Sequence, residues 1–297
     1  MTEYRDGAAL RVTLEARLKR HAAQTGVPLD RLRKEVANGR LLARFAAVAP
    51  SGSWVLKGGL ALIARIGNEA RATKDADVTW RRARNDLDDL IEDVVDAGLD
   101  DFFEFDVGAP RGLDAESPEG GLRYPVTARL GGREFERLQL DVNLVPDDPR
   151  PFEHVSLRNL LAFAGIHAPS VPTVRIEQQL AEKLHAYTRA YQGEDSSRPK
   201  DLFDMLVVAQ SLPLPDAPIM SAAAHVTFTI RHTAWPPTLG SPPQRWEAAW
   251  GGFVADHGLL WITLTQAEIA LRRLWCPVLE EVVVPASWDP DLWQWAP

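Results

Sequence analysis

The stretch from Lys57 to Trp80, KGGLALIARIGNEARATKDADVTW, constrains the chain more than any other. It begins with a glycine pair, Gly58-Gly59, where a short strand over Trp54-Val55-Leu56 gives way to a helix through Leu60, Ile63 and Ile66. Glycines let backbone N–H groups approach a phosphate closely, and the start of a helix adds partial positive charge. The stretch ends with Asp75 and Asp77 on a predicted strand. A side-chain period of two puts both carboxylates on one face, with Ala76 and Val78 on the other. Neighbouring carboxylates repel unless a cation lies between them, and magnesium takes one or two carboxylates together with substrate phosphates. A phosphate cradle beside metal-binding carboxylates predicts nucleotide chemistry.

Around this stretch the hydrophobic periodicity predicts two N-terminal amphipathic helices, over 8–25 and Leu29–Val48. Asn85 to Ala97 places Leu87, Leu90, Ile91, Val94 and Val95 at helical spacing. Its other face carries Asp86, Asp88, Asp89, Glu92, Asp93 and Asp96, which fan around a convex surface and read as a solvated face rather than a metal site. A strand over Phe102–Val107 precedes a loop from Gly108 to Gly121. A hairpin follows, Tyr124–Leu130 and Glu134–Val145 about the turn Gly131-Gly132. On its second arm Asp141 alternates with Leu138, Leu140, Val142 and Leu144, and a charge there is expensive unless paired or metal-bound.

Pro149 and Pro151 mark the expected boundary, giving N-terminal helices over 1–50, a core over 51–150 and a mainly helical part over 151–297. Strands followed by helices predict an α+β fold. In the helix over Arg175–Tyr191, Lys183 lies within the apolar stripe; a task at a phosphate and a snorkelling lysine fit the spacing equally. The next helix begins near Arg198-Pro199, where Asp201 complements the macrodipole and Asp204 reads as a surface carboxylate. Eight of the ten Trp residues lie at or beyond Trp235; Trp246, Trp250 and Phe253 at helical spacing read as core first and as a partner-docking surface second. Thr265 and Glu268 read as a capping box opening the last long helix, with Pro277 ending or kinking it.

Net charge −8 argues against a uniformly basic nucleic-acid coat but not against a local cleft, for which Arg65, Arg71, Arg81, Arg82 and Arg84 are the candidates. A single Cys, Cys276, suits a reducing compartment. The charged first twenty residues and the lack of any long apolar run predict a cytoplasmic protein with no membrane partner.

Five motifs in order, KGG (57–59), RATKDAD (71–77), QLDVN (139–143), EKLHA (182–186) and RPKDLFDM (198–205), resemble the AbiEii/MenT-type nucleotidyltransferase toxins of type IV toxin–antitoxin systems, within the DNA polymerase β-like superfamily. The RHTAWPPTL segment near Trp235 is similar to the C-terminal part of MenT-type members, so the likeness spans Lys57 to Trp250. Where the wider superfamily has Gly-Ser, this chain has Gly58-Gly59. The resemblance implies a mixed or antiparallel sheet core flanked by helices, with Asp75, Asp77 and Asp141 holding Mg2+. It places Lys57, Gly58, Gly59, Thr73 and Lys74 around the triphosphate of an NTP, Lys183 on phosphate, and the last catalytic carboxylate at Asp204, against the spacing. It also implies a tRNA 3′ end or other RNA acceptor, blocked translation, and a cognate antitoxin acting as a protein or through kinase or repressor activity. Rival readings are transfer to a protein hydroxyl or small molecule, phosphoryl transfer, a non-catalytic RNA- or partner-binding module, and an antitoxin-like role.

Overall fold

The computed structural model describes residues 4–113, 120–189, 198–280 and 287–296. It divides into two compact units, one of residues 1–68 and 72–174, the other of residues 69–71 and 175–297.

In the first unit, helices α1 (Gly7–Thr25) and α2 (Leu29–Val48) precede β1 (Trp54–Lys57), α3 (Gly58–Ile66), β2 (Asp75–Trp80) and α4 (Asn85–Asp96). Strands β3 (Phe103–Val107), β4 (Arg111–Leu113), β5 (Gly121–Leu130), β6 (Arg133–Leu144), β7 (Phe152–Ser156) and β8 (Ser170–Val174) follow. Among the described residues eight strands form one sheet in the order β3-β5-β6-β2-β1-β8-β7, with β4 on the same edge of β5 as β3. β2 runs parallel to β6 and β1 parallel to β8, and the other pairs are antiparallel. This is the expected α+β fold with a mixed sheet. The acidic residues of α4 do lie on its outer side, while Leu87, Leu90, Ile91 and Val94 are buried.

The β5–β6 hairpin turns at Gly131 and Gly132, both at positive φ (+62° and +71°), as a two-residue turn matched to strand twist demands. Arg11 of α1 donates to the carbonyls of Leu130, Arg133 and Glu134, fixing that helix to the turn. Helix α2 packs on β6, β8 and α4, so the first fifty residues belong to the sheet-bearing unit rather than standing apart.

The boundary expected near residue 150 falls instead after Val174. Beyond Pro151, β7 and β8 extend the sheet, and β8 is held parallel to β1 at Leu56–Thr173. Pro172 sits within β8 opposite His154, and three of the five β7 residues are exposed, so neither strand shows an apolar alternation. The expected loop at Gly108–Gly121 contains β4; its residues 114–119 lie outside the described residues.

The second unit carries α5 (Ile176–Thr188), α6 (Pro199–Ser211), α7 (Ala217–Ile230), α8 (Glu247–His257), α9 (Leu264–Leu279) and a small hairpin, β9 (Ser287–Asp289) with β10 (Gln294–Ala296). Tyr191, expected on α5, lies outside the described residues. The cap of α9 is Thr263 with Gln266, two residues before the expected box, and Pro277 is accommodated inside the helix. Trp246, Trp250, Trp275 and Trp288 are buried, as a core reading requires. Trp288, Trp293 and Trp295 donate their indole N–H groups to the carbonyls of Ala209, Ala270 and Leu274, seating the hairpin on α6 and α9.

One buried ion cluster ties α2 to the sheet. Asp101, 1% exposed, accepts from Arg40 Nε at 2.6 Å and from Arg44 at 2.9 and 3.1 Å, and takes the backbone N–H of Phe103 at 3.0 Å. Its neighbours Asp100 and Phe102 are both at positive φ (51° and 60°), conformations the arginines help to hold. Burial pushes the Asp101 carboxyl up, but Arg44 and then Arg40 outweigh it and hold it below the usual range. Its stabilisation is complete above ~3.9, the unfolded value, and is lost as pH falls through the lowered folded value. Asp101→Asn strands two buried arginines, so urea titration at neutral pH should show a loss of about 3–5 kcal/mol. The variant should also lack this component of the wild-type acid transition.

Candidate active site

The pairings of β1, β2, β6 and β5 set four charged residues opposite one another: Lys57 faces Asp77, Asp77 faces Asp141, and Asp141 faces Arg123. On β4, Arg111 faces Arg123 in turn. Directly opposed residues project from the same face of a sheet, so this is a charged row across five strands. Asp75, two residues before Asp77, shares the face and lies opposite Gln139. Placing Asp77 against Asp141 is unfavourable alone, since opposed like charges destabilise a strand pair. Basic residues flank the two acids on both sides.

Arg123 answers the charge of Asp141 directly. Its Nε donates to Oδ1 at 2.7 Å and its Nη2 to Oδ2 at 2.5 Å, a fork on a carboxylate only 4% exposed. The guanidinium is held above its ordinary value by that hydrogen bond, against partial burial, and then by the charges of Asp141, Asp75 and Asp77. One cation thus senses all three acids. Sequence reasoning missed Arg123, although it shares an alternating strand with the buried Leu122 and Tyr124.

The glycine turn is shaped around Asp77. Gly58 is at φ +68°, and a Cβ there would lie 2.0 Å from Asp77 Oδ2. A Cβ on Gly59 would meet Thr73 Cβ at 2.7 Å and Oγ1 at 2.8 Å. The pair therefore lets a carboxylate and a hydroxyl-bearing residue close onto the first turn of α3. Lys57 is the N-cap residue and supplies no side-chain cap, and Lys74, which follows Thr73 in sequence, is exposed. The first turn of a helix favours negative charge through its N–H groups and dipole.

The donor set is hard oxygen throughout, and the cradle at Gly58 brings Asp77 to the turn, so Asp75 and Asp77 fit a divalent cation of the magnesium type completed by phosphate oxygens. Among the described residues no group of three or more His, Cys, Asp or Glu side chains is arranged to hold a metal ion. The third expected ligand, Asp141, has both oxygens on Arg123.

In the second unit, Lys183 of α5 points inward and is 8% exposed. Its Nζ donates to Asp204 Oδ2 at 2.5 Å and to Asp201 Oδ1 at 3.4 Å, both on α6. Arg71, from the 69–71 segment of this unit, grips Asp204 through Nε at 3.1 and 3.3 Å and through Nη2 at 3.2 Å. Asp204 is 1% exposed, which overturns the surface reading its helical spacing suggested. Asp201 is also buried, so its place is set by Lys183 as well as by the helix dipole, and among the described residues its Oδ2 has no hydrogen-bond partner. Burial disfavours the Lys183 charge, but Asp204 and then Asp201 outweigh both that and the repulsion of Arg71, leaving the ammonium above the ordinary lysine value. Two acids and two bases make a neutral quartet.

Of the arginines expected to track phosphates, three are committed inward. Arg65 donates to Glu153 and to the Val174 carbonyl, Arg71 holds Asp204, and Arg81 donates to the Arg150 carbonyl beside Asp148. Arg82 and Arg84 are exposed.

The family profile described as "Nucleotidyl transferase AbiEii toxin, Type IV TA system" matches residues 40–266. The chain belongs to the AbiEii nucleotidyltransferase toxin family. Among solved structures, the chain is similar to MenT4, a nucleotidyltransferase toxin from Mycobacterium tuberculosis H37Rv, at 20% identity and a TM-score of 0.61, covering 94% of this chain and 92% of that one. The Megavirus polyadenylate synthase aligns at 13% identity and a TM-score of 0.35, covering 86% of this chain and 44% of that one. No curated protein matches. Membership makes this AbiEii-family chain a nucleotidyltransferase of a toxin–antitoxin system, and the MenT4 likeness agrees in fold. Among its described residues no helix is long and apolar enough to cross a membrane.

Gly58→Ala should cost about 1–2 kcal/mol for the left-handed backbone, plus a clash with Asp77. In a double-mutant cycle by urea unfolding, adding Asp77→Ala should remove the clash with Oδ2 and Cγ and leave only the 2.9 Å contact with Cβ, giving a coupling of about 1 kcal/mol or more.

Proposed function

We propose that this toxin transfers nucleotides from an NTP to an RNA acceptor, the 3′ end of tRNA, in a magnesium-dependent reaction that blocks translation. The charged row at the glycine turn carries the reading: Asp77 faces Asp141 across parallel strands and closes onto Gly58. In this reading Asp75 and Asp77 hold Mg2+, with Asp141 joining them. The bound ion would neutralise charge on the attacking and leaving oxygens of an in-line displacement.

The chain's own groups divide the remaining work. Gly58 and Gly59 admit a triphosphate to the first turn of α3, whose dipole favours negative charge. Lys57 and Lys74 lie around that triphosphate and offset its charge, and the Thr73 hydroxyl is a hydrogen-bond donor to it. Lys183, oriented by Asp204, meets phosphate oxygens as charge develops on them. Asp141 or Asp204 orients the acceptor hydroxyl and takes its proton. The family's toxin–antitoxin character supports a cognate antitoxin as the partner, and an RNA acceptor that serves translation accords with a cytoplasmic protein.

Purified protein incubated with each labelled NTP, bulk tRNA and Mg2+ should label tRNA at its 3′ end and release pyrophosphate. Asp77→Asn and Lys183→Met should each lower the rate by a factor on the order of 100 or more. Label on protein, or on a small molecule with tRNA left unmodified, would remove the RNA acceptor. Expression in a host lacking the antitoxin should arrest growth, and Asp75→Ala should abolish the arrest.

A further inference from the structure

We infer that Arg123 is an internal counter-cation of the carboxylate row, and that a divalent ion loads by displacing it from Asp141. The inference rests on the proposed metal role of Asp75 and Asp77 and concerns how that site is regulated.

Four observations carry it. Asp141 is almost fully buried, and both of its oxygens are taken by one guanidinium, at 2.7 and 2.5 Å. Asp141 and Asp77 are directly opposed, so a cation between them relieves repulsion as well as desolvation. The Arg123 side chain is itself 39% exposed, so it can leave for solvent or for an incoming anion without stranding a buried charge. Among the described residues no three carboxylates are arranged for a metal, which is the state expected while Arg123 holds the third. A divalent ion that recruits Asp141 must break both N–H···O bonds. The freed guanidinium then projects from the same face as Asp75 and Asp77, where a phosphate is the nearest chemical match for its fork. Metal entry and phosphate binding would thus be coupled through one side chain, and Arg123 acts as a positioning residue for Asp141.

Mn2+ binding to the full-length protein, measured by calorimetry and electron paramagnetic resonance without nucleotide, tests this. Wild type should bind weakly. Arg123→Gln should bind about tenfold tighter, because a competing positive charge has been removed from the acids. Arg123→Lys, which keeps the charge but loses the fork, should fall between them. In chelator Arg123→Gln should melt below wild type, and Mn2+ should raise its melting temperature by more than it raises that of wild type. Equal or weaker Mn2+ binding by Arg123→Gln, or a melting loss that Mn2+ does not restore, would overturn the displacement and leave Arg123 a structural ion pair. Asp77→Asn separates the two levels of inference. If it abolishes Mn2+ binding while Arg123→Gln has no effect, the metal site stands and only the displacement fails. If neither wild type nor Arg123→Gln binds Mn2+, the carboxylate metal site fails with it.

Discussion

Asp77 and Asp141 confront each other across a parallel strand pair, and the site in the first unit is built to make that tolerable. The confrontation is imposed by packing. Ala76 and Val78 on β2, with Leu140 and Val142 on β6, fill the opposite face, and a one-residue slip would drive the acids into the core. With the register held by apolar burial, the acids have nowhere to go. The sheet supplies Lys57 on one flank and Arg123 on the other, and the turn omits a Cβ at Gly58 so that the Asp77 carboxylate has room. Each device is local, yet each depends on the same register.

The second unit answers a similar problem with helices. Lys183, Asp201, Asp204 and Arg71 form a neutral quartet in which Asp204 is shared by two cations. Apolar residues of similar volume often replace a buried ion cluster without loss of stability, so such a cluster is poor evidence for a purely structural purpose. Perturbed lysines with specific charge partners concentrate at functional sites. Among the described residues one oxygen of the quartet, Asp201 Oδ2, is buried without a hydrogen-bond partner.

Legibility in the sequence followed the range of the interaction. Helix α2 matches its periodicity from Leu29 to Val48, and β2 matches its alternation from Asp75 to Trp80, because both patterns are local. β7 and β8 were hidden by exposed residues and by Pro172; β8 joins the sheet through long-range pairing with β1, and β7 through pairing with β8. Asp204 read as a surface residue because spacing on α6 says nothing of Arg71, more than a hundred residues earlier. Arg123 lies one residue outside the predicted arm Tyr124–Leu130, and a bulge also hides its partner. The hairpin register shifts between Ala128 and Arg129, so pairing counted straight back from the Gly131-Gly132 turn sets Arg123 opposite Leu140 instead of Asp141. Phe135 is the extra residue, and its burial shows what the bulge gains.

The motifs that revealed the family hold its acids and glycines together with Lys57, Arg71 and Lys183, while Arg123, the cation that balances Asp141, lies outside them. That division bears on how a negatively charged protein binds polyanions. Arg123, Arg71 and Lys183 are each already engaged by carboxylates, so the attraction of a triphosphate cannot be read from net charge or from a count of basic residues. A phosphate that recruits such a cation must compete with an acid for it, and the acid is released in the same step. Binding then becomes an exchange of partners whose cost is lowest where the cation is partly exposed. Arg123 meets that condition, whereas the enclosed Lys183 does not.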